Sequence, residues 1–160
     1  REIGHRSVDF ALNRAGVEHT SAEVEELVEA IVRLEPFPEV PDALTRLTQN
    51  YRLAILSNGD RDMLQKAKPY IGFAFDETIS VEEAGYFKPH FRTYEVAAEI
   101  LDLDRSSILF VANPTFDCTG AKSFGMRTAF IDRRKRPFGQ TPHQPDLIVS
   151  DMGELADLMT

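Results

Sequence analysis

Short, wholly apolar runs alternate with helical patterns through most of this chain, and that alternation leaves few architectures open. Leu53-Ala54-Ile55-Leu56, Ile108-Leu109-Phe110-Val111, the stretch from Thr128 to Ile131 and Leu147-Ile148-Val149 each have the length of one strand. Glu77-Thr78-Ile79-Ser80 reads as another short strand. Helical patterns separate them: Asp60 to Tyr70, Phe91 to Leu101, and Phe116 to Phe124 closed by Gly125, with Asp42 to Leu47 before the first strand and Glu154 to Met159 after the last. A strand that is apolar along its whole length is buried on both faces. The pattern therefore predicts an α/β fold, a parallel sheet covered by helices on both sides.

The first 35 residues have a different texture. Ile3, Val8, Leu12 and Phe10, Ala11, Ala15 recur at helical spacing, with Gly16 as a stop. Thr20 and Ser21 before Glu23 have the form of a capping box, and Val24, Leu27, Val28, Ile31 and Leu34 continue as one apolar stripe. Two helices follow one another with no strand between them. Pro36-Phe37-Pro38-Glu39-Val40-Pro41 then reads as a rigid, extended connector, because each proline restricts the residue before it. This divides the chain into a helical piece over residues 1–35 and an α/β piece over 36–160.

Composition narrows the function. A net charge of −8 argues against broad binding to nucleic acid or an anionic membrane surface, both of which need a basic face. The basic run Arg133-Arg134-Lys135-Arg136 reads as a solvated loop. No apolar run approaches the ~20 residues of a membrane span, and no signal peptide is recognisable. With Cys118 as the only cysteine, no internal disulfide is possible, and the expected compartment is the cytoplasm. The chain begins at Arg1 rather than Met and inside a helical pattern, which leads to the expectation that it is part of a longer protein.

In open α/β sheets, sites form beyond the carboxyl ends of the strands. Three places qualify. Ser57-Asn58-Gly59 directly follows one strand, and small hydroxyl and amide side chains with free N–H groups suit an anion, though they are also ordinary turn residues. Lys88, between Phe87 and Pro89, puts a fixed positive charge at the mouth of the sheet, with Tyr94 six residues on. Asp117 opens the helix after Val111, with Asn113 and Thr115 in the same loop. Phe37 and Phe91 read as core aromatics, the four histidines as surface or core, and Cys118 as buried rather than nucleophilic. No histidine has the spacing of a metal site or a catalytic triad.

The order and spacing of these signals resemble the last three motifs of the haloacid dehalogenase superfamily. The local wording, Leu-Ala-Ile-Leu-Ser-Asn-Gly (53–59), Tyr-Phe-Lys-Pro-His-Phe-Arg-Thr-Tyr (86–94) and Asp-Cys-Thr-Gly-Ala-Lys-Ser-Phe-Gly (117–125), is similar to its 2-haloacid dehalogenase branch. So is Arg33 to Pro41, where that branch crosses from helical cap to core. The resemblance implies a Rossmann-like core with a helical cap, and hydrolysis of a 2-haloacid through an aspartyl ester without a cofactor. It also implies roles. Ser57 and Asn58 would hold the substrate carboxylate or the nucleophile's oxygens, and Lys88 would keep the nucleophilic carboxylate ionised. Tyr94 would orient Lys88 or line the pocket, and Asp117 would position the hydrolytic water or the lysine. Family members are often dimers, and exposed helices would allow a homodimer.

Two departures bear on this expectation. The family's first motif, an aspartate at the end of an apolar strand with a threonine shortly after it, is not among these 160 residues, nor is the cap arginine that follows, so the expected core lacks its first strand. Asp9 does not substitute, because it lies inside a helical pattern. The fourth motif also differs: where the branch has Ser-Ser-Asn, this chain has Ala112-Asn113-Pro114, which leaves Asn113 as the one polar contact in that stretch. Two alternatives stay open: a phosphatase of the same superfamily that uses Mg²⁺, and a non-catalytic protein that keeps the fold for binding.

Overall fold

A computed structural model describes residues 2–160. The elements in order are α1 (Glu2–Ala15), α2 (Ser21–Ile31), α3 (Val40–Leu47), β1 (Ala54–Ser57), α4 (Arg61–Ile71), β2 (Glu77–Ser80), α5 (Phe91–Leu101), β3 (Leu109–Ala112), α6 (Thr115–Phe124), β4 (Arg127–Ile131), β5 (Leu147–Val149) and α7 (Met152–Met159). Single 3-10 turns occur at Val81–Glu83 and Arg105–Ser107. The chain divides into two compact units, Arg1–Pro36 with Asp62–Gly72, and Phe37–Arg61 with Phe73–Thr160. The helical unit thus takes in Asp62–Gly72 in addition to the residues expected of it. Helical periodicity marks α4 as a helix but carries no information about which unit it joins.

In the helical unit, α2 starts as its sequence dictates. The Thr20 hydroxyl accepts from Glu23 N–H (3.3 Å), and the Glu23 carboxylate accepts from Thr20 N–H (2.7 Å). The turn before it is pinned by His19, whose two ring nitrogens lie 2.9 Å from the Val17 carbonyl and 2.9 Å from Asp9 Oδ1. Val24 and Val28 are buried, and Gly4 of α1 faces Val28. The helix ends at Ile31, so Leu34 does not extend the apolar stripe and is exposed instead.

In the α/β unit, the connector is shorter than expected. Helix α3 begins at Val40, and Pro41 falls in its first turn, where a missing N–H leaves no bond unmade. The strands form two parallel sheets rather than one: β1 pairs with β2 from Ala54↔Glu77 to Ser57↔Ser80, and β3-β4-β5 pair from Leu109↔Arg127 and Ala129↔Leu147. Strand burial follows from this. Four of the five residues of β4, which has a strand on each side, are buried, whereas β1 and β3 are partly exposed although both were expected to be buried. Asp76 N–H donates to the Leu53 carbonyl (2.9 Å) on the β2 side. Backbone groups alternate along a strand, so the Leu56 carbonyl points to the opposite edge of β1.

Among the described residues the core forms three clusters. Tyr94, Ala98, Ala121 and Met126 pack with Leu56, Phe110 and Phe124; Ala129, Ile131, Val149 and Leu155 pack with Leu109 and Val111; and Ala43, Leu47 and Ala156 join α3 to α7. Helix α6 stops at Gly125, whose φ of 107° is a left-handed cap conformation that favours glycine. Among the described residues no helix is long and apolar enough to cross a membrane.

Candidate active site at the strand ends

The site is assembled from the C-terminal ends of β1 and β3 and the loop before α5. After β1, the Ser57 hydroxyl oxygen accepts from Gly59 N–H (3.0 Å), which closes the turn and leaves the hydroxyl able to donate. Ser80, buried at the end of β2, donates to the Gly59 carbonyl (2.8 Å), so the neighbouring strand holds the same turn from below.

Lys88 is held at both ends. Asn58 Oδ1 accepts from Lys88 N–H (2.8 Å), and Asn58 Nδ2 donates to the Lys88 carbonyl (3.4 Å). The loop carrying Lys88 is tied to α5 by Thr93, which is buried and donates to the Tyr86 carbonyl (2.8 Å). His90 caps α5 by accepting from Arg92 N–H (3.2 Å), and its ring stacks on Tyr86 with centroids 4.1 Å apart. At the far end of the side chain, the Lys88 ammonium donates to the Leu56 carbonyl (2.9 Å) and to Asp117 Oδ2 (2.7 Å), 5.3 Å from the centre of the Phe110 ring. The ammonium thus satisfies a carbonyl on the edge of β1 that faces away from β2.

Asp117 lies in the first turn of α6, where the helix dipole favours a carboxylate. Its second oxygen accepts from the Tyr94 hydroxyl (2.9 Å), which also lies 3.2 Å from the Asp117 carbonyl. Tyr94 is fully buried, and burial, followed by the Asp117 charge and hydrogen bond, drives its hydroxyl pKa far above the usual phenol value. Lys88 and Asp117 side chains are only 10% and 7% exposed, so this is a buried ion pair with both carboxylate oxygens occupied. Among the described residues, no buried side-chain nitrogen or oxygen lacks a partner.

Of the residues singled out in the sequence, the structure brings together Asn58, Lys88, Tyr94 and Asp117, with Ser57 at the adjoining turn. Asn113 points elsewhere: its Nδ2 donates to the Ile131 carbonyl (2.6 Å) and links the ends of β3 and β4. Phe37 and Phe91 are exposed rather than core, at 59% and 58%. Arg133 is not simply solvated, since its guanidinium lies 4.0 Å over the Phe37 ring and pairs with Glu39. Cys118 is buried, and desolvation together with the Asp117 charge pushes its thiol up to about 12.

Ser80, Thr93 and Gly120 contribute to the site without having been singled out. A Cβ on Gly120 would lie 2.6 Å from the Tyr94 hydroxyl and 2.7 Å from Pro89 Cβ, so α6 can approach the Lys88 loop this closely only with glycine there. A glycine inside a helical pattern was the one available signal for it.

A lysine-bridged carboxylate, closed by a buried tyrosine, thus stands at the strand ends of a parallel α/β core. Comparison with known proteins places the chain in a family. The model of the haloacid dehalogenase-like hydrolase family matches residues 3–125. The chain is 36% identical over 152 residues to an (S)-2-haloacid dehalogenase of Pseudomonas sp. (strain YL), covering 93% of this chain and 66% of the relative. It is 35% identical over 161 residues to haloacetate dehalogenase H-2 of Moraxella sp. (strain B), covering 99% and 72%. The solved structure of L-2-haloacid dehalogenase from Xanthobacter autotrophicus with chloropropionic acid covalently bound superposes with a TM-score of 0.84 at 30% identity, covering 97% of this chain and 73% of that one. The chain belongs to the haloacid dehalogenase-like hydrolases, and it spans between 52% and 72% of the length of the curated relatives it matches.

Proposed function

We propose that the protein hydrolytically dehalogenates a small 2-haloalkanoic acid through an aspartyl-ester intermediate. The observation that carries this reading is the buried Lys88–Asp117–Tyr94 cluster at the ends of β1 and β3, in a chain whose relatives are 2-haloacid dehalogenases. In the first step a carboxylate oxygen of the family's aspartate attacks the halogen-bearing carbon, and halide leaves with the bonding pair. In the second, water adds to the ester carbonyl, the acyl C–O bond breaks, and the 2-hydroxy acid and one proton depart as the carboxylate is regenerated.

In this reading Lys88 supplies the fixed positive charge beside the nucleophile. Tyr94 and Asp117 hold its ammonium in place. The Ser57–Asn58 turn receives the substrate carboxylate through the Ser57 hydroxyl and the turn's N–H groups. Asn113, through Ile131, steadies the loop between β3 and α6. No metal is assigned, because both oxygens of Asp117 are already taken, one by the Lys88 ammonium and one by the Tyr94 hydroxyl. The protein is taken to act in the cytoplasm as a homodimer, a reading supported by the unpaired Cys118 and by exposed Ile3, Phe10 and Leu34, and tested by sedimentation.

The deciding experiment uses protein expressed from the complete reading frame, incubated with 2-chloropropionate in the presence of a chelator. Halide release is expected. Turnover of p-nitrophenyl phosphate that needs Mg²⁺, without halide release, would replace this reading with the phosphatase, and neither activity would leave a binding protein.

A further inference from the structure

We infer that Ser80 is a positioning residue: by fixing Gly59, its hydroxyl aims the Ser57 hydroxyl at the substrate carboxylate. The inference rests on the dehalogenase reading for the identity of the ligand and on geometry for the rest. Strands β1 and β2 end level, with Ser57 paired to Ser80, and register partners in a parallel pair present their side chains on the same face. Both hydroxyls converge on Gly59. Ser57 takes the Gly59 N–H at 3.0 Å, and Ser80 donates to the Gly59 carbonyl at 2.8 Å.

A hydroxyl has one proton to donate and lone pairs with which to accept. Because Ser57 accepts from the Gly59 N–H, the direction left for its own O–H follows from where that N–H stands. Glycine has no side chain to anchor, so Gly59 is placed through its backbone. Its neighbours are held independently: Asn58 Oδ1 accepts from Lys88 N–H, and Arg61 donates to Glu82 through its N–H (2.9 Å) and to Glu83 through its guanidinium (2.6 Å). The Gly59 carbonyl falls to Ser80, which is 2% exposed and is itself fixed by accepting from Glu82 N–H at 3.2 Å. A serine that merely capped the turn at Val81–Glu83 would need only that last bond. The bond to Gly59 crosses 21 residues and carries the position of β2 into the turn.

The test is a double-mutant cycle of Ser57→Ala and Ser80→Ala in the complete protein, with propionate as an unreactive probe of the turn and 2-chloropropionate as substrate. Ser80→Ala is expected to weaken propionate binding and raise KM by about fivefold, with kcat within about twofold. Once Ser57 is alanine, the same change should alter propionate affinity by less than about twofold, because the group it aims is gone. Ser80→Cys, close to serine in volume but a weak donor, gives the same comparison if alanine unfolds the protein. Unchanged propionate affinity in Ser80→Ala, an equal loss in both backgrounds, or a fall in kcat at unchanged KM would overturn the inference, since Ser80 would then serve the fold at large or the chemical step. If the unsubstituted protein releases no halide, the cycle is read with propionate and inorganic phosphate alone. Coupling between Ser57 and Ser80 in the binding of either anion would then support the relay while sinking the activity reading, and binding of neither would overturn both.

Discussion

Lys88 Nζ and Asp117 Oδ2 lie 2.7 Å apart, and the carboxylate's other oxygen is taken by the Tyr94 hydroxyl. The pair is buried, so removing one member strands the other away from water. Asp117→Asn is expected to destabilise the protein by about 3 kcal/mol, and Lys88→Met combined with Asp117→Asn by less than the sum of the single changes. Urea denaturation of the single and double variants measures both. Halide release should fall to background in each.

Gly120 sets how near α6 comes to the Lys88 loop. Gly120→Ala places a methyl group 2.6 Å from the Tyr94 hydroxyl and 2.7 Å from Pro89, and should cost about 1–3 kcal/mol. Tyr94→Phe removes one of the two obstructing atoms. The combination should therefore cost less than the two single changes added together, and strict additivity in thermal unfolding would contradict the assigned contact.

Cys118 should be inert in the native state. It is fully buried, its thiol is pushed up to about 12, and the thiolate is the reactive form. Iodoacetamide at neutral pH is expected to label it only after addition of denaturant; labelling of folded protein at the rate of a free thiol would contradict the packing.

The turn between α1 and α2 should have a pH window. The Thr20 N–H and hydroxyl hold the Glu23 pKa below 4.5, so its contribution is present above that value and fades as pH falls through the lowered one. The Val17 carbonyl and Asp9 hold the His19 pKa above 6.5, so its contribution is complete below 6.5 and is lost as pH rises through the raised value. Amide protection in the first turn of α2, taken relative to the intrinsic exchange rate at each pH, should be greatest between those limits. Glu23→Gln should flatten the acid limb and His19→Gln the alkaline one.

Much of this was legible in the residues. The capping box at Thr20 and Glu23 and the glycine stop at Gly125 are local devices whose partners lie within a turn, so spacing alone reveals them. The strands of 77–80 and 147–149 and the helix of 91–101 fall where their apolar patterns put them. The ordered motifs around Ser57, Lys88 and Asp117 pointed to the strand ends and to the family that the comparisons establish.

What the sequence could not contain was the outcome of competition between partners far apart in the chain. Asn58 and Asn113 have the same side chain and both follow a strand, yet one grips the Lys88 backbone and the other the Ile131 carbonyl. Phe37 is apolar enough for a core but lies under Arg133 at the surface. Residue type and spacing determined the elements and the chemistry available at their ends, because those depend on neighbours within a few residues. Tertiary structure alone decided which polar atoms were already taken, because a hydrogen-bonding group goes to whichever partner packing brings within about 3 Å.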